Sequence, residues 1–299
     1  VEFTLNGIYS TMQSSDAYSG RLVYYGDVTG DDMQAVSSTK RVANYYRFNF
    51  TKDDNPSSHW SYLYSIIQNC NLILMNIDKL VIDEDDKAYR DDLKGEALAI
   101  RGLALFDLTR IFGYPYLKDN GASLGVPIIE GLSTIDSKPT RNTVAQCYTK
   151  IIDDLTQSLS LLGEKFNKGK INKWGAMVLL SRVYLYKGEN ANALKMASDA
   201  IIGAEKNKYA LWTNEDYPTA WGEDASASKP GEVLFEIVNL TTDSPGKESM
   251  GYLNSYDGYD DMCITCSFYQ FLKEDPKDIR LKLLSFDKKY YAYVNKYQP

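Results

Sequence analysis

The sequence predicts a mainly α protein: helical pairs stacked in the tetratricopeptide manner, a loop-rich region beside them, and a few short strands. Three observations predict it. Apolar residues recur every three or four positions along several long segments, as one face of an α-helix requires. One segment of 28 residues, from Trp174, carries the residue sizes of a tetratricopeptide-type repeat at the right positions. After about residue 207 that periodicity gives way to dense Tyr, Trp, Gly, Asp and Ser.

The elements follow in chain order. Trp60, Leu63, Ile67, Cys70, Leu74 and Ile77 form a helical stripe, and the acidic run at 83–86 suits the start of the next helix, giving an antiparallel pair. That next helix contains GEALAIRGLALFDLTRIFGYPYL, residues 95–117, with Leu93, Ala97, Ile100, Ala104, Leu108 and Ile111 on one line. Leu98, Leu103, Leu105 and Phe106 lie off the line, so neighbours are expected on more than one side. Glu96, Arg101, Asp107 and Arg110 inside the stretch argue against a membrane span. Gly113 and Pro115 end it. Glu96 and Arg101 read as structural charges, held by each other or by backbone groups.

Thr143 and Gln146 stand at capping-box spacing before a stripe of Val144, Cys147, Ile151, Leu155, Leu159 and Leu162. In the repeat, Trp174 is position one, Leu180 seven, Ser181 eight, Tyr184 eleven, Ala193 twenty, Ala197 twenty-four and Ala200 twenty-seven. The small residues let two helices approach, and Tyr184 is expected in the groove between them. An isolated repeat cannot bury its faces, so the earlier pair should stack on it. Beyond it, CSFYQFLKED keeps a helical period, while EVLFEIVN at 232–239 and YYAYVNKY at 290–297 alternate like strands.

Composition bounds the chemistry. The 299 residues are 44% hydrophobic, enough for a sizeable core, and the net charge of −7 gives no basic field for nucleic acid. The first residues lack the basic and apolar regions of a signal peptide. Four cysteines are too scattered for a disulfide framework, and the Cys263–Cys266 C-x-x-C has no further ligands in view, so local packing or a redox-sensitive pair is expected and no metal or other cofactor. His59 is the sole histidine, and no G-x-S-x-G or P-loop occurs, so the chain is not read as an enzyme. Asp260 and Asp261 fit a solvated or cation-binding loop better than a glycosidase pair, and DGYDD offers oxygen ligands for calcium, though without the spacing of an EF-hand.

The segment at 95–117 resembles the signature helix of SusD/RagB-like outer-membrane nutrient-binding lipoproteins at Gly95, Glu96, Ala97, Arg101, Phe106, Leu108, Arg110, Phe112, Gly113 and Leu117. The tryptophan helix is similar at Trp60, Leu63, Tyr64, Ile67 and Asn71, with Cys70 where the family has alanine. The helix after Arg141, the repeat pair and GEVLFEI agree in order. Departures are Gly102, Gln146 and the proline at Pro115.

The resemblance implies a single domain over 1–299, with a helical scaffold to 206, a loop-rich region over 207–299, and the family's C-terminal part missing. It further implies capture of an oligosaccharide at the cell surface, delivery to a SusC-like TonB-dependent transporter, and lipid anchoring in the outer membrane through a cysteine absent from this chain. Family binding sites lie in variable loops. There the sequence supplies flat rings with polar neighbours, as sugar recognition requires: Asp32, Arg41, Tyr45, Tyr46, Trp212, Trp221, Tyr252, Tyr256 and Tyr259. Rings on helix stripes, such as Tyr64 and Tyr184, are expected to pack. The alternatives are an adaptor or importer component whose repeat groove binds peptides, and, less in keeping with the residues, a glycan hydrolase.

Overall fold

The computed structural model describes residues 1–51, 56–134, 136–222, 231–240, 242, 245–289 and 291–297. It is mostly helical. The helices are α1 (Glu2–Met12), α2 (Arg21–Val28), α3 (Ala43–Tyr46), α4 (Ser57–Asn76), α5 (Lys87–Phe112), α6 (Val144–Leu161), α7 (Lys173–Lys187), α8 (Asn190–Lys206), α9 (Met250–Asn254) and α10 (Cys266–Lys273). The strands are β1 (Met33–Ala35), β2 (Met262–Ile264), β3 (Leu284–Phe286) and β4 (Ala292–Val294). They form two antiparallel pairs, with Gln34 opposite Cys263 and Ser285 opposite Tyr293. No helix among the described residues is long and apolar enough to cross a membrane.

The chain divides into two compact units. The first holds Val1–Thr11, Trp60–Ala210 and Pro230–Glu236; the second holds Met12–His59, Leu211–Lys229 and Ile237–Pro299.

In the first unit α5 is the central strut. Nearly every residue from Leu93 to Thr109 is buried, as its many-sided apolar surface anticipated. Helix α6 lies against it and starts at a complete capping box: Gln146 N–H donates to the Thr143 hydroxyl, and the Gln146 side chain accepts from Thr143 N–H. Its stripe of Val144, Cys147, Ile151 and Leu155 is fully buried. Helices α7 and α8 are the repeat pair. Asn172 caps α7, and Gly188 closes it in the left-handed conformation at φ +82°. Ser181 Oγ donates to the Ala193 carbonyl at 2.8 Å, which binds the two helices where they meet closely. Tyr184 is only half-buried; the Trp174 ring, packed with Ala200 and Ala204, occupies the inter-helix crevice instead.

Two further features depart from what the sequence predicts. Glu96 and Arg101 do not hold each other. Arg101 reaches Asp154 on α6 and Asn71 on α4, whereas Glu96 accepts from the Tyr9 hydroxyl. These positions on one helix point to different neighbours, so each charge ties α5 to another segment. Residues 232–239 form no strand. Leu234 and Phe235 pack against the start of α7 at Gly175, and Phe235 meets Tyr9 edge-on, so side-chain contact replaces a strand ladder. The other expected strand is present as β4; position 290 lies outside the described residues.

The second unit has its own core of Tyr24, Val28, Met33, Val42, Tyr45, Leu253, Met262, Ile264 and Ala292. Cys263 is buried in β2 and Cys266 is exposed at the start of α10; both are free thiols.

Candidate glycan-binding surface

The nine residues singled out in the sequence all fall in the second unit, where they separate into a core group and two surface groups. Tyr45 belongs to the core. It is 9% exposed, with its ring against Tyr25 and Phe50. Tyr46, one step along the short helix α3, turns outward and is 37% exposed.

The first surface group is built around Arg41. The loop after α9 folds back tightly: Tyr259 N–H donates to the Tyr252 carbonyl at 3.0 Å, and a side chain at Gly258 would collide with that same carbonyl. The turn brings the Tyr252 and Tyr259 rings edge to face, with centroids 5.1 Å apart. The Arg41 guanidinium then lies 3.8 Å from the Tyr259 centroid and donates to both oxygens of Glu248 at 3.2 and 3.0 Å. Beneath it Asp261 is buried, and burial pushes its carboxyl up while Arg41 opposes the shift. Lys40 bonds the Tyr259 carbonyl at 2.7 Å and pairs with Asp260. Tyr256, exposed, sits beside Tyr293, whose hydroxyl donates to Asp260 at 2.6 Å. Thus one face of Tyr259 is already covered by a cation, and the carboxylates of Glu248, Asp260 and Asp261 are engaged internally.

The second group is the 211–222 turn. Trp212, Tyr217 and Trp221 are each half-buried. The two indoles meet at 80° with centroids 4.9 Å apart, and Tyr217 closes the cluster 5.5 Å from Trp221. Thr213 caps the turn by accepting from Asp216 N–H, which holds the ring-bearing positions together. Lys296 places its ammonium 3.4 Å from the Trp221 centroid, and Tyr297 packs on the same indole. Lys296 also interacts with Asp27, whose carboxyl is pushed up by burial and by the neighbouring charge of Asp32. Asp32 itself is exposed, and its carbonyl accepts from Thr265 N–H beside β2. The sequence singled out the two tryptophans and Asp32 but not Tyr217, Lys296 or Asp27. Tyr217 was legible, since it stands in the same aromatic segment; Lys296 and Asp27 are joined to it only by the tertiary fold.

The arrangement offers flat apolar rings with an ammonium group over one of them, which suits stacking on a pyranose and hydrogen bonding to its hydroxyls. Among the described residues no group of three or more His, Cys, Asp or Glu side chains is placed to hold a metal ion.

The pattern of a SusD-like family, described as starch-binding and associating with the outer membrane, matches residues 2–185. The chain belongs to the SusD-like family. A crystal structure of a candidate sugar-binding protein from Bacteroides vulgatus ATCC 8482 is 84% identical, with a TM-score of 0.97 over 100% of this chain and 67% of that one. A SusD superfamily protein from the same strain is 38% identical, with a TM-score of 0.92 over 99% of this chain and 67% of that one. A SusD-like protein of Bacteroides ovatus is 27% identical over 135 residues, 44% of this chain and 23% of that protein. The chain therefore matches under a quarter of that SusD-like relative and spans about two thirds of the solved ones.

Proposed function

We propose that this SusD-like chain binds an oligosaccharide on the Trp212, Tyr217 and Trp221 surface and presents it, at the outer membrane, to a TonB-dependent transporter. The observation that carries the reading is the aromatic turn. Three large rings are left half-exposed, with the Lys296 ammonium over one of them, although a purely structural cluster gains by being closed over. Family membership and the sugar-binding description of the 84% identical relative support it. The reading assigns capture and delivery to this chain and no bond-breaking step, with a lipid anchor supplying its hold on the membrane.

Calorimetric titration with neutral oligosaccharides of several linkages tests the reading. Binding that Trp212→Ala and Trp221→Ala each weaken, with only a modest shift in melting temperature, supports it. Release of reducing ends would instead make the chain a hydrolase, and binding of peptides with no sugar would favour the repeat groove of α7 and α8.

A further inference from the structure

The second unit carries a groove of about 460 Å³, within the size range of small-molecule sites. One wall is Asn214 and Glu215 of the aromatic turn; the other is the 276–282 segment that follows α10. The short turn that carries the rings of Trp212, Tyr217 and Trp221 therefore lines the groove as well. Arg280, on the far wall, interacts electrostatically with Tyr217.

Local hydrogen bonds set both walls. In the turn, Asp216 N–H donates to the Thr213 hydroxyl at 3.1 Å, and that hydroxyl donates to the Asp216 carboxylate at 2.8 Å. In the far wall, Lys277 N–H donates to the Asp275 carboxylate and Arg280 N–H to the Asp278 carboxylate, each at 2.9 Å. The Arg280 Nε then reaches both Asp278 oxygens at 3.0 Å. Asp216, Asp275 and Asp278 thus brace the backbone, and the groove is shaped before a ligand arrives.

The groups left to face a ligand are mixed in kind. Pro276 and Ile279 are apolar, Asn214 both donates and accepts, Glu215 only accepts, and Lys277 and Lys282 only donate. A sugar hydroxyl donates and accepts, so it can satisfy every polar group of this set. A carboxylate or sulfate only accepts, and it would meet Glu215 together with the exposed Asp216, Glu274 and Asp275 of the same two segments. These four acids outweigh the two lysines, on a chain of net charge −7.

We propose that the groove is a second sugar subsite, continuing from the aromatic turn, and that the chain captures an extended, uncharged glycan in preference to a short or an acidic one. The proposal rests on the reading of the aromatic turn as the sugar platform. A residue stacked on the rings leads the next ones past Asn214 and Glu215 to the far wall, where Lys277 and Lys282 donate to hydroxyls and Ile279 meets the apolar sugar face.

Calorimetric titrations of the full chain would use malto-, cello- and xylo-oligosaccharides, each as disaccharide and hexasaccharide, beside a polygalacturonate hexasaccharide. The expected result is a hexasaccharide of one neutral series bound roughly tenfold tighter than its disaccharide, with polygalacturonate weaker than that hexasaccharide by a gap that narrows as salt is added. Lys277→Ala/Lys282→Ala, which alters only the wall opposite the rings, should remove the gain with length while the disaccharide still binds and the melting temperature holds. Equal affinity for the two lengths, or a gain that survives the double variant, overturns the subsite but leaves the platform reading intact. Polygalacturonate bound as tightly as the best neutral hexasaccharide overturns the preference for an uncharged glycan. Absence of any sugar binding overturns both the groove and the platform.

Discussion

Arg101 of α5 grips Asp154 of α6 through two hydrogen bonds, Nε to Oδ2 at 2.8 Å and a terminal nitrogen to Oδ1 at 2.6 Å, in a setting where Asp154 has no exposed surface. The third arm of the guanidinium donates to Asn71 of α4 at 2.8 Å, so one side chain joins three helices. Lys150 stands 3.2 Å from the same aspartate. Arg101→Met is expected to destabilise the fold by about 3 kcal/mol or more, because a buried carboxylate loses its principal partner; Lys150 limits the loss. Urea unfolding measures it. Lys87→Gln, which removes an exposed pair with Glu84, should change stability by less than about 0.5 kcal/mol.

The scaffold was legible because its signals are local. A capping box, a three-and-four stripe and small residues at repeat positions each specify a helix, or a helix pair, within some thirty residues. Partners were less legible. Glu96 and Arg101 are near neighbours on one helix, yet their contacts lie 87 and 53 residues away. Helix α1 shows the same limit: Leu5, Ile8 and Met12 are fully buried at helical spacing, but Phe3, 92% exposed, blurs the stripe. The pairing of β1 with β2 joins segments about 229 residues apart, as in the contact of Gln34 with Cys263, and three-residue strands carry too little pattern to announce it. At the surface the rings and Arg41 were readable, whereas the stacking of Arg41 on Tyr259 and the presence of Lys296 over Trp221 were not.

Two helical glycines should respond to alanine with opposite signs. A methyl group at Gly203 would fall 2.0 Å from the Trp174 ring, which is held by packing and by its indole N–H donating to the Glu164 carbonyl. Gly203→Ala is expected to cost about 1–3 kcal/mol through overpacking. At Gly7 in α1 nothing lies within 4 Å of the added carbon, so Gly7→Ala should stabilise by about 0.5–1 kcal/mol. Paired thermal and urea melts of the two variants compare the signs directly.

Stability should also fall away on both sides of mildly acidic pH. Burial raises the Glu96 carboxyl from 4.5 to about 7, with the Tyr9 hydrogen bond and Lys170 opposing. The folded state therefore holds a proton that the unfolded chain has released, and this contribution is complete below about pH 4.5 and lost as pH rises through 7. His59 works the other way. Burial lowers it from 6.5 to about 4, so its contribution is present above 6.5 and lost as pH falls through 4. Melting temperatures should thus decline toward neutrality in a manner that Glu96→Gln flattens, and decline in acid in a manner that His59→Phe flattens. An unchanged alkaline limb in Glu96→Gln would remove Glu96 as its cause.

The aromatic residues of the second unit should divide by what they touch. Tyr45 is enclosed by the core, with Tyr25 edge-on at 5.5 Å, so Tyr45→Ala is expected to lower stability by about 3 kcal/mol through the cavity it leaves. Tyr46, its outward neighbour, should cost under about 1 kcal/mol. Trp212 and Trp221 differ from both, because each keeps an open side while leaning on the other. Their truncation is expected to remove sugar binding by tenfold or more, as the loss of a stacked ring implies, with only a modest shift in melting temperature. Lys296→Met adds a finer distinction, since its ammonium covers one face of Trp221. If the ammonium bonds a sugar hydroxyl, its removal should weaken binding; if the sugar stacks on the face that it covers, removal should tighten binding. Calorimetric titrations and melts on the same five variants separate core from platform. Loss of affinity in Tyr45→Ala alone, in proportion to its unfolding, would show that the tryptophan turn is not the binding surface.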